Sequence, residues 1–117
     1  MSVTPSQFDV LQQSLRALSL RHQVISQNLA NLNTPGYRAK EVLFEEALAA
    51  QVGTGGMDEV APKVQENPNL PARFDGNTVD IDVEMAALEK NAMLYEAYTS
   101  LLSSKLSIMR SAITGRS

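Results

Sequence analysis

Cysteine and tryptophan are absent from this sequence, and histidine occurs once, at position 22. Without cysteine, the chain offers no disulfide, no thiolate metal site and no thiol nucleophile. His22 has neither a cysteine nor a second histidine to act with, so we interpret it as a packed or interface residue and not as a catalytic base. The sequence therefore predicts no catalytic, cofactor-binding or metal-binding residue, and a protein that is not an enzyme.

Long apolar runs and an excess of basic residues are also missing. No stretch approaches the roughly 20 apolar residues that a membrane-spanning helix needs, and the first residues lack the charged and apolar regions of a cleavable signal peptide. The net charge of −3 argues against binding to the phosphates of nucleic acid. With 117 residues, we expect one domain with a modest, mainly aliphatic core and no small-molecule substrate.

The acidic residues near position 80 are the arrangement most similar to a cation site. Asp80, Asp82 and Glu84 alternate closely along the chain. However, the preceding Asp75-Gly76-Asn77 departs from the calcium-loop pattern, which requires its glycine at the sixth position. We therefore interpret these three acidic side chains as the solvated start of a helix.

The first third of the chain has the pattern of one long amphipathic helix. Thr4 is a suitable N-cap, Pro5 fits the first helical position, and Gln7 completes a capping box with Thr4. Residues at alternating steps of three and four form a heptad seam with one polar member: Phe8, Leu11, Leu15, Leu18, His22, Ile25, Leu29 and Leu32. The pattern predicts a helix from Pro5 to about Asn31.

A strongly specified stop follows this helix. Pro35 does not continue a helix, and it disfavours helical backbone at Thr34. Gly36 adopts positive φ without strain, so Pro35-Gly36 fits the two central positions of a type II turn. Three nearby side chains are suited to capping free backbone groups at the helix end: Asn28, Asn31 and Asn33. Taken alone, these local features predict a well-specified helix stop.

The middle of the chain is less regular. Residues Val42 to Gln51 place Phe44 and Leu48 on one face, which predicts a short helix. From Val52 to Asn77, glycine and proline interrupt a polar stretch without a period. This pattern predicts a connector that is mobile in the isolated protein, or ordered by neighbours over whose surface it spreads. The alternation from Thr78 to Val83 predicts a short extended segment.

A second long helix is predicted from an N-cap near Asp82 to about Ile113, with Gly115 as its stop. One seam of this helix comprises Met85, Leu88, Ala92, Tyr95, Thr99, Leu102, Leu106, Met109 and Ile113. A second stripe beside it comprises Leu94, Tyr98, Leu101 and Ile108. Since one partner helix covers only a narrow stripe, we predict that this second stripe faces other subunits.

Two long helices at the ends of a short chain predict an antiparallel pair. The predicted fold class is all-α. Residues 1–33 form the N-terminal helix, 34–82 form the turn, the short helix and an irregular, partly extended connector, and 83–117 form the C-terminal helix. Both helices are predicted to belong to one terminal-helix domain, arranged as an antiparallel hairpin or coiled coil.

The stretch from Ile25 to Lys40, ISQNLANLNTPGYRAK, resembles the N-terminal motif of bacterial flagellar rod, hook and hook-associated proteins. The segments Phe44 to Leu48 and Asp75 to Asp82, together with the short chain, are similar to the proximal rod branch of this family. Residues 51–72 match poorly. The resemblance implies a structural subunit of the flagellar basal-body rod that assembles helically, transmits torque, encloses the export channel and is needed for motility.

The resemblance also implies partners and a location. Other rod proteins and copies of the same chain are the implied neighbours, together with the basal-body adaptor protein and the export gate at the rod base. The implied location is the periplasmic rod of the basal body. It is reached through flagellar type III export without a cleaved signal peptide.

By resemblance, the junction after the first helix sets the direction of the following segment through Asn28, Ala30, Asn31, Asn33, Thr34, Pro35, Gly36 and Tyr37. Helix packing between subunits is expected from Leu15, Leu18, Ile25, Leu29, Leu102, Leu106 and Met109. The alternative function is a helical-hairpin export chaperone or a coiled-coil adaptor. Either explains the heptads equally well, but neither explains why the turn matches Ala-Asn-x-Asn-Thr-Pro-Gly-Tyr.

Overall fold

The computed structural model describes residues 7–54 and 60–115. In chain order, the helices and strands are α1 Gln7–Ala30, β1 Lys40–Leu43, α2 Glu45–Gly53, β2 Lys63–Glu66 and α3 Ile81–Thr114. The molecule measures 63 × 29 × 14 Å, so its length is set by the two long helices. The predicted N-cap Thr4 and the proline after it lie outside the described residues.

Helices α1 and α3 pack against each other in antiparallel orientation, as the sequence predicts. Three hydrogen bonds mark the alignment. Near the end of α1, Asn28 Nδ2 donates to Glu84 Oε1 at 3.2 Å. At mid-helix, Asn91 Nδ2 donates to the Leu18 carbonyl at 2.8 Å. At the start of α1, Lys105 donates to the Gln7 side chain.

The hydrophobic core lies where α1 meets the middle segment, and it comprises Ala17, Leu18, Val24, Val42, Phe44 and Leu48. Helix α3 contributes Leu94 and Tyr98 to it. These two residues belong to the stripe predicted to face other subunits, so that prediction is wrong for them. The other α3 seam holds the exposed residues Met85, Tyr95, Leu106, Met109 and Ile113. Both stripes have helical periodicity, and periodicity does not determine which of them turns inward.

The middle segment contains a two-stranded antiparallel sheet that the sequence did not predict. Strand β1 pairs with β2 so that Val42 lies opposite Val64. The short helix begins at Glu45, so the predicted helical start at Val42 is wrong. Strands of four residues are too short to show a clear period, and each residue of β1 pairs with a residue at least 20 positions further along the chain.

Arg21 of α1 fixes the chain where β1 passes into α2. Its guanidinium donates to the Val42 carbonyl at 2.7 Å, lies 5.0 Å from the centroid of the Phe44 ring, and forms an ion pair of 2.6 Å with Glu45. Burial acts to raise the pKa of Glu45, but the hydrogen bond and charge of Arg21 outweigh burial, and the net pKa lies below its usual value.

The ends of α3 are capped by side-chain and backbone geometry. Asp80 is the N-cap, and its carboxylate accepts from the Asp82 amide at 3.0 Å and from the Val83 amide at 3.4 Å. The N-cap therefore lies two residues before the predicted one, and the predicted extended segment is wrong from Ile81 onward, where the helix begins. Gly115 has φ 70° and ends the helix, as predicted.

The connector after β2 folds back on its own chain. Residues 73–79 hydrogen-bond to the end of α1 and to the turn that follows it. The prediction that this part of the connector spreads over a neighbouring surface is therefore wrong.

None of the helices within residues 7–54 and 60–115 combines the length and the apolar character that crossing a membrane requires.

Candidate functional site

The junction after α1 begins with a turn of the predicted type. The helix ends at Ala30, and the Thr34 amide donates back to the Asn31 carbonyl at 3.0 Å. The Tyr37 amide then donates to the Thr34 carbonyl at 3.2 Å, with Gly36 at φ 74° between them. A positive φ at the third position is the requirement of a type II turn, so the predicted turn is confirmed.

Asn28 is the centre of the junction, and its side chain is fully buried. Its Oδ1 accepts from the Lys40 amide at 3.0 Å and from the Tyr37 hydroxyl at 3.2 Å. Its Nδ2 donates to the Lys40 carbonyl at 2.9 Å and to Glu84 Oε1 at 3.2 Å. All four hydrogen-bonding positions of the amide are therefore used. One side chain joins α1, the turn, β1 and α3.

Asn31 acts locally. Its Nδ2 donates to the Gln27 carbonyl at 2.8 Å, and its Oδ1 accepts from the Thr34 hydroxyl at 3.1 Å. These bonds satisfy backbone and side-chain groups at the C-terminal end of α1. The remaining predicted junction residues with side chains lie exposed at its surface: Ala30, Asn33 and Pro35.

Asn77 is the second buried amide of the junction, and the sequence prediction did not single it out. Its Nδ2 lies 2.9, 3.1 and 2.8 Å from the carbonyl oxygens of Asn31, Leu32 and Thr34. Its Oδ1 accepts from the Val79 amide at 2.7 Å. A residue more than 40 positions away thus caps the C-terminal end of α1. No local sequence pattern predicts a capping residue at that distance along the chain.

A close backbone approach completes the junction. The Gly36 amide donates to the Asp75 carbonyl at 2.7 Å, and the Thr78 amide donates to the Tyr37 carbonyl at 3.0 Å. Gly76 has φ 82°, and a Cβ at this position would lie 3.4 Å from Gly36 Cα. The two glycines therefore let the connector lie directly against the turn.

Glu84 is buried, so the predicted solvated helix start is wrong for this residue. Burial raises the pKa of its carboxyl group, the charge of Asp80 raises it further, and the Asn28 hydrogen bond only partly opposes these effects. Burial also raises the pKa of Tyr37, and the carboxylate of Glu84 adds to that shift. No group of three or more His, Cys, Asp and Glu residues within the described ranges is arranged to hold a metal ion.

The residues predicted to pack between subunits fall into two groups. Leu18 and Ile25 are buried within the chain, whereas Leu106 and Met109 are exposed, at 46% and 51%. Partial burial is found for Leu15, Leu29 and Leu102. His22 is exposed beside a groove between the helices, so it is not packed inside this chain. The contacts of all these residues with other subunits stay a prediction.

Comparison with known proteins gives consistent matches. Residues 8–38, which include nearly all of α1 and the turn, match the family model described as flagella basal body rod protein. The chain is 32% identical to the flagellar basal body rod protein FlgB of Aeromonas hydrophila, covering 92% of each chain. It is 28% identical to FlgB of Bacillus subtilis (strain 168), covering 98% of each, and 30% identical to FlgB of Borrelia hermsii, covering 86% of this chain and 90% of the relative.

The curated relatives thus match this chain over nearly its whole length and theirs, and the family model matches the helix and turn that form the junction. The chain belongs to the FlgB family of flagellar basal body rod proteins.

Proposed function

We propose that this protein is a structural subunit of the proximal rod of the flagellar basal body, needed for motility. The observation that carries the proposal is the near full-length match to FlgB proteins. The role is mechanical and involves no catalysis. The subunit assembles helically with other rod proteins, transmits torque and encloses the export channel.

The junction suits a part that carries load. Fully buried Asn28 and Asn77 hold the turn, β1 and the start of α3 against the end of α1. Rotation of the middle segment relative to the helices breaks several buried hydrogen bonds at once, and each leaves a polar group without a partner. The direction of the middle segment is therefore fixed by the fold, and we propose that it sets how the segment meets neighbouring subunits.

The outer face of α3 supplies surface for assembly. Tyr95, Leu106, Met109 and Ile113 are exposed at 44%, 46%, 51% and 82%. Exposed apolar surface of this extent is typical of an interface. A face that contacts a different face of the next subunit generates an open helical assembly, as a rod requires.

Membership of the family supports a further proposal about the specific partners of the subunit and its export route. We propose that the subunit contacts copies of itself and other rod proteins, together with the basal-body adaptor protein and the export gate at the rod base. We further propose that it reaches the periplasmic rod by type III export without cleavage. The intact mass of the protein recovered from purified basal bodies tests the last point, since a cleaved leader lowers that mass.

Deletion of the gene in its own bacterium tests the main proposal. We expect non-motile cells without rods, restoration by the wild-type gene, and recovery of the protein in purified basal bodies. A motile deletion strain contradicts the proposal. The chaperone or adaptor alternative predicts instead that the protein stays in the cytoplasm and is missing from basal bodies.

A further inference from the structure

A groove of about 530 Å³ lies between α1 and α3 on the outer side of the helical pair. Leu18, Ala92 and Tyr95 supply apolar lining, and the polar side chains of His22, Glu96 and Thr99 also line it. The groove is large enough for several side chains, and the described part of the chain leaves it open. It is therefore a recess between packed helices and not a filled core.

Asn91 lines this groove and has a buried side-chain oxygen. The residue is 3% exposed and donates through Nδ2 to the Leu18 carbonyl, yet its Oδ1 is buried without a hydrogen-bond partner among the described residues. Buried acceptors are normally satisfied. The unsatisfied oxygen indicates that the packing around this groove is incomplete in the single chain.

The groove continues into an exposed line along α3. Positions 92, 96, 99, 103, 106, 110 and 113 recur at alternating steps of four and three, so they share one face of the helix. Glu96 lies on this line at the rim of the groove, and Arg110 lies two heptads further along. The same line also presents Leu106 and Ile113 to solvent.

The charges of α3 are unevenly divided along its length. Residues 81–96 contain four carboxylates and one lysine, whereas residues 97–114 contain Lys105 and Arg110 and no carboxylate. The side chains of Glu96 and Arg110 make no ion pair within the part of the chain that the structure describes. The basic half of one α3 is thus complementary to the acidic half of another.

We propose that the groove receives the C-terminal half of α3 from a second copy of this chain, running in the same direction and displaced by two heptads. The displacement is about 21 Å at 1.5 Å per residue, and it places Arg110 of the second copy at Glu96 of the first. The same displacement lays the second copy's Ile113 at Thr99. The proposal rests on the proposed function, because a rod with polarity needs neighbours in one orientation, and the resulting contact does not close.

Engineered cysteines test this contact in the purified full-length protein, since the natural chain has none. Thr99→Cys and Ile113→Cys proteins are mixed and oxidised. We expect a disulfide-linked heterodimer of the two and little homodimer of either, because only their pairing brings the two cysteines within the distance that a disulfide requires. No heterodimer, with both variants folded by circular dichroism, overturns the proposal.

The Ser103→Cys protein distinguishes the proposed parallel contact from an antiparallel one. If Glu96 and Arg110 instead pair in an antiparallel, closed dimer, position 103 lies close to its two-fold axis. A homodimer of the Ser103→Cys protein then forms readily, and this result also overturns the proposal. The displaced parallel arrangement predicts little of it.

Charge reversal tests the ion pair. Glu96→Arg and Arg110→Glu should each lower the heterodimer yield about threefold at low salt, and the double reversal should restore it, because the pair is remade between copies. Matched controls are Glu46→Arg and Lys63→Glu, which change the same charges on exposed residues away from the groove. Equal losses in the controls contradict the proposal.

The proposed self-contact and the proposed rod function are contradicted by different results. Wild-type protein that assembles into rods, but whose cysteine variants form no heterodimer, leaves the rod function intact and removes the proposed self-contact. Protein missing from purified basal bodies contradicts the rod function itself, whatever the cysteine variants show.

Discussion

At the scale of single residues, buried amides do the most to define this molecule. Asn28 binds both the amide and the carbonyl of Lys40, as a neighbouring strand would. Only a side chain that both donates and accepts makes this pair of bonds, so aspartate does not replace it. Aspartate would also place a second carboxylate beside Glu84. The choice of asparagine here follows from hydrogen-bond chemistry and not from size.

Replacement of Asn77 by alanine should destabilise the fold. The change removes the donor to the carbonyls at the end of α1 and the acceptor for the Val79 amide. We expect the free energy of unfolding to fall by about 2–3 kcal/mol, because buried backbone groups lose their partner. Urea unfolding measures this loss. Asn69→Ala, at an exposed position in the same connector, is the control and should stay within about 0.5 kcal/mol of wild type.

Glu84 should make stability depend on pH. Its pKa is raised in the folded state, so its contribution is fully present below the ordinary carboxyl value of about 4.3 and is lost as pH rises through the higher folded value. Glu84→Gln keeps an oxygen for Asn28 but never ionises. Between pH 4 and neutrality, the unfolding free energy of this variant should therefore rise relative to that of the wild type. Urea titrations at several pH values measure this difference. A constant difference across that range contradicts the burial argument, and Glu89→Gln is the exposed control.

At the scale of elements, the sequence predicts the parts that local rules determine. The two helices, the type II turn at Gly36 and the stop at Gly115 follow from periodicity, proline and glycine. Pairing of β1 with β2 and the cap from Asn77 depend on residues far apart in the chain, and no local rule contains them. The predicted solvated helix start is wrong for Glu84, because a carboxylate at a helix start usually faces solvent, whereas here Asn28 donates a hydrogen bond to it in the interior.

Gly36→Ala tests the junction as an element. At φ 74°, a Cβ costs about 1–2 kcal/mol, and this strain falls on the turn that aligns the connector. We expect lower stability in urea unfolding and, in cells, fewer rods while secretion of the subunit is retained. Gly53→Ala is a matched control, because its Cβ meets nothing within 4 Å and Gly53 lies at the end of a helix, where alanine is favourable. Normal rod numbers in the Gly36 variant would show that the turn does not direct assembly.

At the scale of the whole molecule, an inward apolar surface holds the chain together and an outward one remains on α3. Leu18, at 1% exposure, belongs to the first, and Leu106, at 46%, belongs to the second. Leu18 fills the core under the helical pair, whereas Leu106 lies on the face that continues the groove. We therefore expect a folded monomer and an assembled rod to depend on different residues, so that mutation can separate the two properties.

The separation is tested with Leu18→Ala and Leu106→Asp. The first leaves a cavity in the core and should lower the free energy of unfolding by about 2–5 kcal/mol. The second adds a charge to an exposed position, so the monomer should stay within about 0.5 kcal/mol of wild type. Yet it should abolish swimming and rod assembly, because the interface then buries an unpaired carboxylate. Glu46→Gln, at an exposed position on α2, controls for a surface change. A motile Leu106→Asp strain would place this face outside the rod interface, and a Leu106→Asp monomer as unstable as Leu18→Ala would show that the two surfaces are not independent.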